Sequence, residues 1–586
     1  MSEFFGNIVS ITGSQQVPDT EYEFGTLLDR VKRRADSLIE DQASWISEWK
    51  QIGKYINTNG GRFDAEKNNN GGRRDLALVD PSPQQYLNIL ASGMQGGLTS
   101  PSRMWFKLDI TDMNVEEYGP IRAWLDEVER RMARVMNRSN IYNAFHSSYA
   151  ELGAFGTCAM ILEEDDRTVI RCIPLTVGEY CIGLGADLRV DTFYERVGMT
   201  AWQMYKQFGI ENLSESVKKA LDNKKPDEQF LVEHIICENE ERILGDETAT
   251  GMPYASLWWE NGGKKFLKKS GYREFPVMAP RWDVTSRDTY GRGPGWYALG
   301  ESKMLQEMKS DYLRGNKLNI CPPLLTPLSS IRQRIDMTPG AINPVDSETM
   351  QTGAVRPLFS FNQDLQGQIA AMNMSQNIMR AIFYVDLFLM MASSSREMTA
   401  TEVAQKQEEK MVVLGPVLDR IVHEMLNPII ARVFAIMDRR GLIPPPPEDI
   451  VGRSIEIEYI SVLAQAQKMV GLSGLERFTQ YAGGVAQLSP EAMDRFNPEE
   501  AVFAYGKMIG VPGTVIRTTE QVAALRQQRA EEAAMAQQMA MIQATAAAAK
   551  DGAAAAKDGV SAAAESMNSG VGDQLAGMMG NAQGGV

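Results

Sequence analysis

The sequence predicts a mainly helical α+β protein, and three observations carry that expectation. Long stretches repeat apolar residues at steps of three and four, shorter stretches read as strand pairs folded about turn residues, and a proline-rich segment sits between two helical ones. At 586 residues the chain holds about four average domains of material, ample for a large core.

The first helix is expected near 24–57, where Leu27, Leu28, Val31, Ala35, Leu38, Trp45, Trp49, Ile52 and Ile56 form one stripe. A polar glycine-asparagine loop, "NTNGGRFDAEKNNNGG", follows at 57–72. Ser82-Pro83 starts a second helix, with the serine placed to cap and the proline at the first helical position. Its continuation "LASGMQGGLTSPSRMWF" puts Gly93 and Gly97 one turn apart on a smooth strip. Glycine inside a helix costs about 1 kcal/mol relative to alanine, so the strip implies a close backbone contact or a break in the helix. The phosphate-loop pattern, with its lysine and hydroxyl, is missing here and elsewhere in the chain, which favours close packing. After Ser100-Pro101, Met104, Phe106, Leu108 and Ile110 alternate with Trp105, Lys107 and Asp109 as in a half-buried strand.

Helices are expected near 116–138 and 140–153, and then strands take over. "GTCAMILEEDDRTVIRCIPL", "EYCIGLGADLRVDTFYERV" and "SLWWENGGKKFLKKSGY" read as hairpins, the last turning at Asn261-Gly262-Gly263. The run Glu163-Glu164-Asp165-Asp166 falls at the first of these turns and reads as solvated rather than metal-binding. "YGRGPGWYALGESKMLQEMKSDYLRGNKLN" passes from a glycine-proline loop without a full dinucleotide fingerprint into a helix. A proline-rich module at about 321–361 separates it from a second helix at about 363–386, like a stalk carrying a tip. "LFLMMASSSREM" reads as a loop of small and flexible residues. Thr399 with Glu402 then makes a capping box and Met398 with Val403 a staple, opening a helix to 440 that Pro416 and Pro428 should bend. "GLIPPPP" ends it, a mostly helical unit follows at 451–520, and the Ala/Gln/Met-rich remainder, with "AAAAKDG" written twice, reads as a helix stabilised by neighbours fading into disorder.

The formal charge of −15 argues against a protein that grips nucleic acid by its phosphates, though DNA can still pass by it. No stretch has the length of a membrane span; "AIFYVDLFLMMA" is short and carries Asp386. The N-terminus lacks the basic residues of a signal peptide, so synthesis in the cytoplasm is expected. Cys158, Cys172, Cys181, Cys237 and Cys321 contain no C-x-x-C pair and read as reduced, mostly buried thiols. His146, His234 and His423 are scattered, and His146 and His423 read as surface or hydrogen-bonded residues. No cofactor, metal site or catalytic group is expected.

Four segments in one order, "LASGMQGGLTSPSRMWFKL", "SSYAELGAFGTCAMILEED", "YGRGPGWYALGESKMLQEMKSDYLRGNKLN" and "SSSREMTATEVAQKQEEKM", resemble the head-to-tail connecting (portal) proteins of short-tailed bacteriophages over roughly 20–520. The resemblance implies a portal-type fold: an α+β wing at 1–290, stem helices at 291–320 and 362–386 around a clip at 321–361, and a tunnel loop at 387–398. It further implies a long kinked wing helix at 399–440, a wing and crown unit at 441–520, and a crown helix with a flexible tail at 521–586. A dodecameric ring at one capsid vertex would follow, with a largely acidic bore for double-stranded DNA and assembly in the host cytoplasm into a virion. The implied partners are the terminase large subunit, scaffold and major capsid protein, a tail adaptor and internal core proteins, with no membrane. Leu387, Met390, Met391, Ser393, Ser394, Ser395 and Arg396 are the tunnel-loop candidates, and Arg332, Arg334, Asp336 and Arg356 the clip candidates for docking motor or adaptor. A packaging ATPase or nuclease would need a phosphate loop or clustered carboxylates, and a tail adaptor or core protein would not need the helix–insert–helix pattern.

Overall fold

Thr26 opens the first helix with a capping box: its hydroxyl accepts from the Asp29 N–H, and the Asp29 carboxylate accepts in return from the Thr26 N–H. The computed structural model describes residues 26–63, 78–110, 118–243, 245–246, 248–327, 336–345, 356–358, 365–392, 414–447, 455–460, 522 and 524–542. Helix α1 (Leu27–Tyr55) buries Val31, Ala35, Leu38, Trp49 and Ile52, the stripe expected of it. Helix α2 (Ser82–Leu98) starts one residue earlier than its Ser-Pro signal suggested. Ser82 is already helical and caps nothing; Asp80 does that work, its carboxylate accepting from the Ser82 N–H at 2.8 Å.

Strand β1 (Phe106–Ile110) alternates buried and half-buried residues as its sequence pattern requires. Trp105 stands just outside it and is buried, not on the open face: its ring lies parallel to Tyr459 and edge-on to Phe145. Helices α3 (Tyr118–Arg138) and α4 (Ile141–Phe155) follow, α4 buried nearly all round, and β2 (Ala159–Asp165) turns back as β3 (Val169–Leu175) with Ile161 opposite Ile173. Next come β4 (Tyr180–Leu184), β5 (Val190–Thr200), the short helices α5 (Ala201–Phe208) and α6 (Glu215–Asp222), β6 (Gln229–Glu238), β7 (Tyr254–Glu260), β8 (Phe266–Tyr272) and β9 (Val277–Met278). All three expected hairpins form.

β4 to β8 make one antiparallel sheet in sequence order, while β9 joins the edge of β2. On one face of the large sheet α1 packs Val31, Ala35 and Leu38 against Tyr194, Ile235, Leu257 and Trp259; on the other, α5 and α6 pack Met204, Phe208 and Val217 against Val232 and Leu267. A single antiparallel sheet covered on both sides is therefore the core of this region.

Beyond it, α7 (Pro294–Ile320) leads to a small mixed sheet in which β10 (Leu324–Pro327) lies parallel to β11 (Ile342–Val345) and antiparallel to β12 (Arg356–Pro357). The strand-containing insert is thus present, and α8 (Leu365–Ile382) returns alongside α7. Helix α9 (Val385–Ala392) is a departure from expectation, since this run read as the end of one helix and a loop. A helical run at 414–421 passes through a wide turn, Val422–Leu426, into α10 (Asn427–Arg439). Ahead of Pro428, where a bend was expected, the helix widens: the Asn427 N–H reaches back five residues to Val422, one residue too far for an α-turn, just before the proline that has no N–H to give. Pro416 lies inside the helical run.

The unit expected at 451–520 to be mostly helical contains β13 (Ile455–Tyr459), paired antiparallel with β1 so that Leu108 opposes Ile457. Two compact units divide the chain, one of residues 1–112 and 123–510 and one of 113–122 and 511–586. In the second, residues 524–542 are helical and solvent-facing, with Met535, Met539 and Ile542 exposed.

Candidate functional site

The glycine-proline loop before α7 is a joint between backbones. Gly156, in the left-handed conformation that ends α4, lies so close to Gly291 and Gly293 that any Cβ on it would overlap their main chain. Gly295 meets the backbone of Ala154 in the same way. The loop that could have cradled a phosphate is therefore filled by its own protein, and α7 leaves from a point fixed to α4. Arg292 within it lies over the rings of Trp45 and Trp296, adding cation–π contact to the joint.

Asp80 ties α7 and α8 to the start of α2. Its carboxylate accepts from Lys309 Nζ at 2.8 Å, and the Gln306 amide clasps its main chain, accepting from the Asp80 N–H at 2.7 Å and donating to its carbonyl at 2.9 Å. Gln376 of α8 donates to the same carboxylate and to Ser82 Oγ. Burial pushes the Asp80 carboxyl up, but hydrogen bonds from Lys309 and Ser82 and the lysine charge outweigh it and hold it below the ordinary aspartate range.

Between α8 and α9 the chain turns at Tyr384, a non-glycine residue at φ 54°. Left-handed backbone costs a residue with a Cβ about 1 kcal/mol or more, so surrounding contacts must hold it. Arg380 and Asp386 bridge the turn at 2.7 Å, and Phe388 lies directly on Gly93 of α2, where an added Cβ would sit inside its ring. The glycine strip is thus a notch for Phe388, and the close contact that the strip implied is with α9.

This placement corrects the tunnel-loop reading. Leu387 and Met390 are helical, Leu387 is buried, and Met391 belongs to the same helix. Ser393, Ser394, Ser395 and Arg396 lie outside the described residues, as do Arg332 and Arg334. Arg356 is in β12, opposite Leu325. Asp336 is exposed, but its carboxylate is occupied: it accepts from the Thr338 N–H and hydroxyl, which lower its pKa and close a local turn. Sequence reasoning missed Asp80, Phe388 and Tyr384. Only Asp80 left a readable sign, an aspartate two residues ahead of a Ser-Pro helix start.

Two clusters could suggest chemistry. Glu195, His234 and Ser256 form a chain of short contacts, 2.8 Å from carboxylate to Nδ1 and 2.9 Å from Nε2 to the hydroxyl, with Trp258 stacked on the imidazole. They are cross-strand neighbours inside the sheet and Ser256 is 1% exposed, so no substrate reaches the hydroxyl. The acidic turn exposes Glu164 and Asp166 to solvent as expected, and Arg439 and Arg440 of the region around α10 reach it from outside, both pairing with Glu164 and Arg440 also with Asp166. Among the described residues no group of histidine, cysteine, aspartate and glutamate could hold a metal, and no helix is long and apolar enough to cross a membrane.

Helices α7 and α8 thus flank a small sheet, the helix–insert–helix arrangement expected from the sequence. Residues 28–516 match the model of the bacteriophage head to tail connecting protein family, and the chain belongs to that family. It is 39% identical over 528 residues to the portal protein of Salmonella phage epsilon15, covering 89% of this chain and 94% of that one. It is 36% identical over 512 residues to the probable portal protein of Bordetella phage BPP-1, covering 87% and 92%. The chain is a head-to-tail connector, a non-enzymatic component of a phage virion.

Proposed function

We propose that twelve copies form a ring at one capsid vertex through which the terminase large subunit threads double-stranded DNA inward and from which DNA later leaves through a tail adaptor. The observation that carries this reading is the α7–insert–α8 pair in a chain that matches the connector family along most of its length. Residues 1–290 with 399–440 act as the wing, α7 and α8 as the stem, 321–361 as the clip, and 441–586 as the remaining wing and crown. A head-to-tail ring presents two different surfaces of each copy to its neighbours and leaves no free edge. Helix α8 suits such a contact: Arg380 is its one charged residue, and Met374 and Ile378 are exposed on it.

DNA contact falls to the tunnel-loop candidates, with Ser394, Ser395 and Arg396 as the polar residues that meet the phosphates. Arg332, Arg334 and Arg356 supply charge for docking at the clip, where Asp336 shapes a loop. The acidic bore of this proposal keeps a duplex from being held, since lysine and arginine along it would release counterions and bind. Deleting 390–396 should leave rings intact and impair packaging or retention of DNA. Virions with a normal DNA content from that deletion would contradict the assignment.

A further inference from the structure

The chain is acidic overall, yet one corner of it is not. Residues 201–228 and 260–269 hold nine lysines against six carboxylates, without a single arginine. They come together because α5 and α6 pack on the five-stranded sheet and the β7–β8 turn reaches the end of α5, where Lys265 Nζ donates to the Glu211 carbonyl. Lys206, Lys219, Lys224, Lys225, Lys264 and Lys268 are exposed, and the ion pair within this corner is Lys218 with Glu215. Lys268 lies on the sheet's edge strand, where charge blunts unwanted pairing; the lysines of α5 and α6 have no edge to guard.

Apolar side chains stand among these lysines. Trp202 is 47% exposed, Tyr205 38% and Ile210 51%. The two rings lie 5.4 Å apart and Lys206 Nζ is 5.3 Å from the centre of the Trp202 ring. The opposite side of α5 is anchored by Met204 and Phe208 in a packed cluster, so the aromatic pair is presented on a fixed base. Exposed tryptophan and tyrosine within a charged rim are the anatomy of a protein interface, in which aromatics anchor and rim charges steer the encounter. Nucleic acid fits less well: phosphate recognition favours the arginine fork, which is missing here, and an aliphatic residue such as Ile210 gives no stacking surface for a base.

We propose that α5, α6 and the β7–β8 turn form a docking surface for an acidic protein segment bearing an apolar anchor, supplied by a different chain of the particle. The inference rests on the connector reading only for where to look. The test places the photo-reactive p-benzoylphenylalanine at Tyr205 in particles assembled during infection, irradiates them, and identifies the attached species by mass spectrometry. The expected result is attachment to a protein segment with excess carboxylates. The triple variant Lys206→Glu, Lys224→Glu, Lys225→Glu should lower the yield roughly tenfold, the effect of about 1.4 kcal/mol, with rings still seen in micrographs. Attachment to DNA, to another copy of this chain, to a segment without acidic excess, or to nothing overturns the proposal. Rings persisting in any of those cases leave the connector reading standing, whereas loss of rings by the unsubstituted protein would count against that reading instead.

Discussion

Helices α7 and α8 lie side by side and differ in charge, although both expose apolar residues: Tyr297, Met304, Leu313 and Ile320 on α7, Ile369, Met374 and Ile378 on α8. Across its 27 residues α7 carries Glu301, Lys303, Glu307, Lys309, Asp311, Arg314 and Lys317, whereas the 18 residues of α8 carry Arg380 alone. The difference follows where each helix is held. Helix α7 is joined at its root to α4 through the glycine loop and clasped to Asp80 by Gln306 and Lys309, so it is held by the rest of its own chain. Helix α8 exposes Ile369, Met374 and Ile378 beside a single charged residue, Arg380. In the proposed ring this surface is the one that meets a second copy.

The comparison breaks most visibly if α8 is charged. Met374→Arg with Ile378→Arg should abolish rings in negative-stain micrographs, while Glu307→Lys on α7 should leave them; rings from both variants would remove α8 from the contact. Asp80→Asn should cost about 2 kcal/mol in denaturant unfolding, because Lys309 and Gln376 lose a charged acceptor, although partial exposure of Lys309 keeps the loss below that of a fully buried pair. An unchanged unfolding midpoint would mean that α7 is not held there.

Gly93→Ala comes next. Overpacking against Phe388 costs about 1–3 kcal/mol, and the gain in helix propensity returns about 1 of it. Combining it with Phe388→Ala should cost less than the sum of the two, and strict additivity would contradict the notch.

The smallest effect at neutral pH concerns Glu151 of α4, which accepts from Asn57 Nδ2 and the Thr176 hydroxyl. Burial, reinforced by the charge of Glu179, pushes its carboxyl up to about 7 against those hydrogen bonds. Because the folded value lies above the unfolded one, its contribution is full below the ordinary glutamate range and is lost as pH rises through about 7. Glu151→Gln should therefore flatten the fall in stability between pH ~5 and ~7; an unaltered slope in thermal unfolding would contradict this.

Local rules made much of the molecule legible. The stripe of α1, the turn at Asn261-Gly262 and the alternation in Phe106–Ile110 each come from neighbours in sequence, and each element formed. What was hidden depends on distant partners. Trp105 could not be placed without Tyr459, nor β13 be seen to pair with β1, although "IEIEY" carries the alternation of a strand. The apolar run of α9 read as a loop because it has no capping signal; it is helical where Phe388 has Gly93 to rest on. The glycine strip illustrates the limit: sequence called for a close contact, and the fold supplied one from a helix that sequence had not predicted.

The central claim is that this chain closes into a ring around DNA. Electron micrographs of the purified protein, with top views sorted by rotational symmetry, test it most directly. The account predicts closed rings of twelve with a central opening wide enough for a duplex. Monomers or closed dimers that persist after the phage scaffold protein is added would contradict it.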